Sequence, residues 1–300
     1  MKNSTPLKLL LFGKNGQVGW ELHRTLIVLG DLIAIDYPEV DFSRPEILHE
    51  IIRHIKPDII INASAYTAVD RAEEEQELAY RVNTVAPRMM AEAAKMNQAV
   101  LIHFSTDYVY DGEKGAPYTE EDTPNPINVY GATKLEGDRA IQDLNGNYLI
   151  LRTSWVYSLR RDSFVTKVLK WARTNSELRV VTDQIGSPTW ARSLAETVAL
   201  LIAKGGKDPI PMIAGRAGVY HLAGNGGTSR FEWAQAILEN DLHKEEQTVQ
   251  RMVATTSDEF PTPAKRPLYT ALNCNRFERA FDLRLPDWKT SLLLAMGEIE

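Results

Sequence analysis

The chain has 300 residues, long enough for one large α/β domain or a large domain with a smaller one, and at that length burial alone can stabilise the fold. Its 34 Lys and Arg stand against 40 Asp and Glu, for a net charge of -6 and a pI of about 5.6; the basic residues are scattered, which excludes an electrostatic footprint for nucleic acid. A single cysteine, Cys274, excludes an intrachain disulfide and fits a reducing compartment, and no apolar run reaches the roughly 18 residues of a membrane helix. The polar start Met1 to Leu7 runs straight into a short strand instead of a secretory core, so a soluble cytoplasmic protein with neither membrane nor nucleic-acid partners is expected.

Residues 8–12 read as a short buried strand, followed by Gly13, Gly16 and Gly19 and then the helical spacing of Trp20, Leu22, Leu26 and Leu29. Strand, glycine turn and helix together place unpaired helix N–H groups where a pyrophosphate can sit. The next strand, Leu32 to Asp36, ends in a carboxylate where the dinucleotide fold puts its ribose-binding acid, although a strand-end turn accounts for Asp36 equally well. A helix over 45–54 leads to the apolar run 57–61, which empties into the small residues Asn62, Ala63, Ser64 and Ala65. Small side chains at the carboxyl end of a parallel strand let a ligand lie against backbone. One long charged helix is predicted over 74–95, then a strand over 100–104 that breaks into Ser105, Thr106 and Asp107. The alternation predicts an α/β, Rossmann-type doubly wound parallel sheet. Further on, 147–157 repeats a strand ending in polar groups, 180–189 is extended with Thr189 as the cap of a helix over 190–203, 204–218 is a loop, and 219–222 is another strand. Ser229 and Glu232 have capping-box spacing, 239–250 reads as solvated surface, and the proline-bearing tail as loops and short helices.

Tyr130 and Lys134 are four apart, on one helix face. A phenol of pKa about 10 is a poor acid at neutral pH, and an adjacent ammonium lowers that value. The alternative for the pair is an exposed helix face. Six histidines show no ligand spacing; His103, inside an apolar strand, reads as a satisfied core residue, and no catalytic metal is expected.

Five segments in order, Gly13-Lys-Asn-Gly-Gln-Val-Gly19, Ser105-Thr-Asp-Tyr-Val-Tyr-Asp-Gly112, Asn128-Val-Tyr-Gly-Ala-Thr-Lys134, Arg152-Thr-Ser-Trp-Val-Tyr157 and Asp183-Gln-Ile-Gly-Ser-Pro-Thr189, resemble the dTDP-4-dehydrorhamnose reductases of the extended short-chain dehydrogenase/reductases. The resemblance covers nearly the whole chain. It implies NADPH- or NADH-dependent reduction of the C4 ketone of dTDP-4-dehydro-β-L-rhamnose, the last step of dTDP-rhamnose synthesis. Tyr130 is then the proton donor, Lys134 its pKa-lowering partner and ribose contact, and Thr106 a hydroxyl for the same oxygen. Cofactor contacts are implied at Gly13, Asn15, Gly16, Gln17, Val18, Gly19, Asp36, Asp41, Phe42, Ala63, Ala65, Tyr66, Thr67 and Phe104, and substrate contacts at Asp107, Trp155 and Arg266. For Asp107 the competing role is to pin the loop running to Gly112; for Trp155 it is core packing. A dinucleotide-binding domain is expected over 1–158, rejoined by elements near 189–222, with a smaller substrate-binding domain from 159–188 and 223–300.

Asp36 suits a free ribose 2′-hydroxyl and Lys14 a 2′-phosphate, so both cofactors are expected to work. Some members of the family dimerise around Mg²⁺ held by glutamates; Glu21 and Glu298 match two such positions, but Arg192 stands at a third, which argues against the metal and the homodimer. Two other readings share the fold: a nucleotide-sugar 4-epimerase, and a non-catalytic regulatory subunit like the β subunit of methionine adenosyltransferase. Tyr130, Lys134 and Thr106 together favour an enzyme.

Overall fold

The computed structural model describes residues 6–297. The first half alternates strands β1 (Lys8–Phe12), β2 (Asp31–Ile35), β3 (Ile59–Asn62), β4 (Val100–Thr106) and β5 (Asn147–Thr153) with helices α1 (Gln17–Leu26), α2 (Ile47–Ile55), α3 (Val69–Ala72), α4 (Gln76–Tyr80), α5 (Ala86–Met96) and α6 (Val129–Asp143). The second half holds short strands, β6 (Val156–Tyr157), β7 (Glu177–Val181), β8 (Ile185–Gly186), β9 (Thr189–Trp190), β10 (Gly218–His221), β11 (Thr228–Ser229) and β12 (Arg251–Thr255). Between them lie α7 (Phe164–Thr174), α8 (Ala191–Lys204), α9 (Ile210–Ala214), α10 (Arg230–Glu239), α11 (Asn275–Phe281) and α12 (Trp288–Met296).

Six strands form one sheet in the order β10-β5-β4-β3-β1-β2, every neighbouring pair parallel. Alternate residues of β1 face opposite ways, as strand geometry requires. Leu9 and Leu11 pack with Leu22 and Leu26 of α1 and with Leu194 and Val198 of α8; Leu10 and Phe12 pack with Leu48 and Ile52 of α2 and Met90 of α5. Each such side chain contributes roughly 1.5–3 kcal/mol on burial. The chain leaves β1 in one direction for β2 and returns on the other side for β3, so a crevice opens beyond their carboxyl ends. The shorter strands pair separately as β12-β7, β8-β11 and β6-β9, around an aromatic cluster of Trp155, Phe164, Trp233 and Trp288. Among the described residues no helix is long and apolar enough to cross a membrane.

Four local expectations are corrected. The helix predicted over 74–95 is interrupted by a π-turn at Arg81–Val85. Pro87 lacks the N–H that the Asn83 carbonyl would accept in a regular helix. The Asn83 side chain is meanwhile drawn to the loop after β3, accepting from Tyr66 N at 2.9 Å and donating to Tyr66 O at 3.1 Å. The predicted loop 204–218 contains α9, which starts with prolines in its first turn, where their missing N–H costs nothing. Thr189 does not cap α8: its hydroxyl donates to Ser187 O and accepts from Gly224 N, and Trp190 occupies the cap position. The 239–250 segment is mostly exposed, but Asp241 is buried and paired with Arg173 at 3.0 Å. The capping box of Ser229 and Glu232 forms as expected.

Candidate active site

The crevice widens into a cavity of about 1010 Å³. Gly13 turns the chain out of β1 with φ +86°, and a Cβ there would lie 2.6 Å from Ser64 N, so the loop after β3 closes on bare backbone. Gly19 sets the distance between α1 and that turn, since its Cβ would stand 1.8 Å from Gly13 O. Behind Gly16, α1 begins with no side-chain cap, which leaves the first-turn N–H groups facing the cavity. Uncapped amides and a cradle that any Cβ would fill suit a dinucleotide pyrophosphate. Asn15, Gly16, Gln17, Val18, Phe42, Ala63, Ala65, Thr67 and Phe104 line the same wall.

Asp36 stands just past β2 on the cavity wall, its carboxylate accepting from Asn15 N at 2.9 Å and Tyr37 N at 2.8 Å. Lys14 is engaged with Glu39 at 2.5 Å, a surface pair that a 2′-phosphate would have to break. Three expected cofactor contacts do not line the cavity. Gly19 acts through helix packing, the Asp41 carboxylate is turned onto Ser43 N and Oγ, and the Tyr66 hydroxyl donates to Glu75.

Tyr130 and Lys134 line the far end together with Thr106. Asn128 caps α6 by accepting from Gly131 N at 2.8 Å, which fixes Tyr130 in the first turn. Gly131 lets that turn touch β4's exit, because a Cβ would meet Tyr108 O at 2.1 Å. Burial raises the Tyr130 pKa, with the Thr106 hydroxyl pulling the other way. This differs from the expected lowering by Lys134: the amine donates to Phe104 O at 2.7 Å and contacts His103 at 3.1 Å, and burial pushes its own pKa down to about 8 against the opposing charge of Asp138. The phenol is therefore held protonated, the state a donor needs. His103 is the satisfied core histidine expected, but its second partner is the lysine of the site.

Thr106 Oγ1 donates to Asp107 Oδ1 at 3.2 Å and accepts from Tyr108 N at 3.2 Å. Asp107, although it lines the cavity, is buried and anchors three segments, accepting also from Ser154 Oγ at 2.9 Å and Thr270 Oγ1 at 2.6 Å. Burial lifts its pKa to about 6 against these bonds. It does not hold Gly112, whose N–H is taken by the Tyr118 hydroxyl. Trp155 lines the cavity in the left-handed region, φ +44°, a conformation unfavourable for a large side chain. Its ring is clamped against Gly186, where a Cβ would come within 2.3 Å. Arg266 does not line the cavity; it pairs with Asp70 at 2.8 Å, though its charge reaches Tyr108 and Arg230.

Arg230 escaped the sequence reading. It opens α10, lines the cavity, and lies flat on Trp155 with its guanidinium carbon 3.6 Å from the ring centroid. Burial pulls its pKa down to about 10. A cation at the start of a helix opposes the helix dipole, and that was the available signal. Tyr108, edge-on to Tyr130 at 5.8 Å, was inside a quoted motif but unassigned. Of the positions compared with a family metal site, Glu21 pairs with Arg24 at 2.7 Å, Arg192 with Glu196 at 2.8 Å, and Glu298 lies outside the described residues. The one cluster with metal-ligand spacing among the described residues is the exposed set His243, Glu245 and Glu246, away from the cavity lining.

A doubly wound parallel sheet, a glycine turn at its switch point and a tyrosine–lysine pair facing the same cavity define a nicotinamide-dependent oxidoreductase of the extended short-chain dehydrogenase/reductase class. Residues 7–300 match the family described as "RmlD substrate binding domain", and the chain belongs to it. It is 41% identical over 298 residues, 98% of each chain, to the dTDP-4-dehydrorhamnose reductase of Escherichia coli K12. Among solved structures, the dTDP-4-dehydrorhamnose reductase of Bacillus anthracis in complex with NADP superposes with a TM-score of 0.87 at 32% identity, covering 97% of this chain and 99% of that one. The Clostridium acetobutylicum ortholog gives 0.88 at 34%, covering 98% and 99%.

Proposed function

We propose that this protein reduces the C4 ketone of dTDP-4-dehydro-β-L-rhamnose to dTDP-L-rhamnose with NADPH or NADH, in the cytoplasm. The observation that carries the reading is a single cavity with the glycine turn at one end and Thr106, Tyr130 and Lys134 at the other. When bound, the reduced nicotinamide supplies the hydride. Tyr130 then gives its phenolic proton to the C4 oxygen as charge develops there, and its burial keeps that proton in place until needed. Lys134 supplies positive charge close to the tyrosinate that remains. Thr106 turns its hydroxyl from Asp107 to the same oxygen, a small rearrangement because Tyr108 N still holds its Oγ1. Trp155 and Arg230 form the sugar side, and Arg230 provides a cation for the nucleotide diphosphate. Residues 159–188 and 223–300 accordingly serve as the substrate-binding region.

The test is to mix the protein with reduced cofactor and the dTDP-ketosugar and follow nicotinamide absorbance. One cofactor oxidised per sugar reduced is expected. Interconversion of 4-epimers with cofactor retained would establish the epimerase instead, and binding without turnover a regulatory role.

A further inference from the structure

Lys134 is buried in a chain of hydrogen bonds whose direction can be counted. Asn62 Oδ1 accepts from Ser64 N at 3.0 Å and from Ser64 Oγ at 2.6 Å, which fixes the amide orientation and turns Nδ2 toward His103 Nδ1 at 3.0 Å. An amide nitrogen only donates, so His103 Nδ1 is the acceptor, and a neutral imidazole with an acceptor at Nδ1 carries its proton on Nε2. That N–H faces Lys134 Nζ at 3.1 Å. An ammonium has three donors and no acceptor, so a charged Lys134 would set donor against donor in a buried site; a neutral amine has the lone pair to accept.

On the reductase reading above, we propose that His103 is a positioning residue whose Nε2–H faces Lys134 Nζ, donating to the neutral amine and working against the ammonium, so that the charge of the catalytic lysine is set by this contact. The surroundings support this. Burial depresses the Lys134 pKa to about 8, and the charge that opposes it, Asp138 on the same helix, is already tied to Arg152 of β5 at 3.1 Å. The other groups around the amine are Phe104 O and His103 from β4, with Tyr130 one turn away on α6. Burial holds His103 well below its usual range, so it stays neutral. His103 and Asn62 are fully buried, and the bonds run on to Ser64, which lines the cavity.

The direct test is the tautomer of His103 in the full chain, free and with oxidised cofactor, by long-range ¹H–¹⁵N correlation on ¹⁵N-histidine protein, with H103Q assigning the signal by its loss. An Nε2-protonated, Nδ1-unprotonated ring at neutral pH is expected. An Nδ1-protonated ring, whose Nε2 would accept from a charged Lys134, overturns the proposal. This measurement needs no sugar substrate, so its failure is distinct from failure of the reductase assignment.

The second readout is the pH dependence of kcat/KM, which falls as pH rises through the Lys134 pKa because charge beside the tyrosinate is lost. H103L removes the donor, raises that pKa and moves the alkaline limb up by about one unit, a tenfold change in proton affinity. H103Q can present an amide N–H to Nζ and its carbonyl to Asn62, and leaves the limb in place. A uniform loss of rate in H103L with an unmoved limb would show that His103 only packs, and overturns the proposal. If H103L does not fold, the tautomer decides alone.

Discussion

The two walls of the cavity are built by different means. The cofactor wall is made of backbone and small side chains at the carboxyl ends of β1 and β3, and its shape is set by strand register. The substrate wall hangs on strands of two residues and is shaped by large side chains, with Arg230 on Trp155 and Trp155 stacked 5.5 Å from Trp233. A backbone-built surface recognises what is common to all dinucleotides and leaves no room for a Cβ. A surface built from side chains can be changed one residue at a time, which is where substrate choice resides.

The sharpest way to break this contrast is Gly13→Ala. The left-handed φ and the 2.6 Å approach to Ser64 N leave the methyl nowhere to go, so cofactor affinity should fall about 10³-fold, near 4 kcal/mol. Calorimetric titration giving near-normal affinity would mean the wall is not set by backbone.

Thr106→Val tests the junction between the walls. Turnover should fall by roughly 10 to 10³ for one hydrogen bond lost at a developing oxyanion, while cofactor affinity holds. A matching loss of cofactor binding would place Thr106 on the wrong wall.

Arg230→Ala tests the substrate wall alone. KM for the dTDP-sugar should rise about 10- to 100-fold, the range of a lost charged hydrogen bond, with cofactor affinity unchanged. If KM stays put, Arg230 merely covers the Trp155 ring.

Asp36→Ala should have the smallest effect, weakening NADH by about tenfold or less and relaxing any preference over NADPH. Competition between the two cofactors checks it, and no change would remove Asp36 from the site.

The same contrast explains what could be read before the fold was known. Strands β1 to β5 and the glycine turn follow from short apolar runs and spacing, because a parallel sheet covered on both faces imposes a simple pattern. Tyr130 and Lys134 share a face by helix geometry, and Thr106 marks a strand end. Whatever depends on distant chain meeting at one point was hidden. The π-turn needed both Pro87 and the pull of Tyr66 on Asn83; Thr189 was claimed by Gly224 instead of by α8; Asp41 and Tyr66 were drawn away by Ser43 and Glu75. Arg230 looked like an ordinary helix start because the rings beneath it come from residues 155 and 164. The direction of the Tyr130 shift was misread because burial, which spacing does not reveal, raises it against the Thr106 hydroxyl.

That Tyr130 is the proton donor standing between these walls is tested most directly by Tyr130→Phe, with kcat for the dTDP-ketosugar and cofactor affinity measured on the same preparation. Loss of the phenol should lower kcat by roughly 10² to 10⁴ while cofactor affinity stays near that of the wild type. A variant that kept more than about half of the wild-type kcat would contradict the account and require another acid in the cavity.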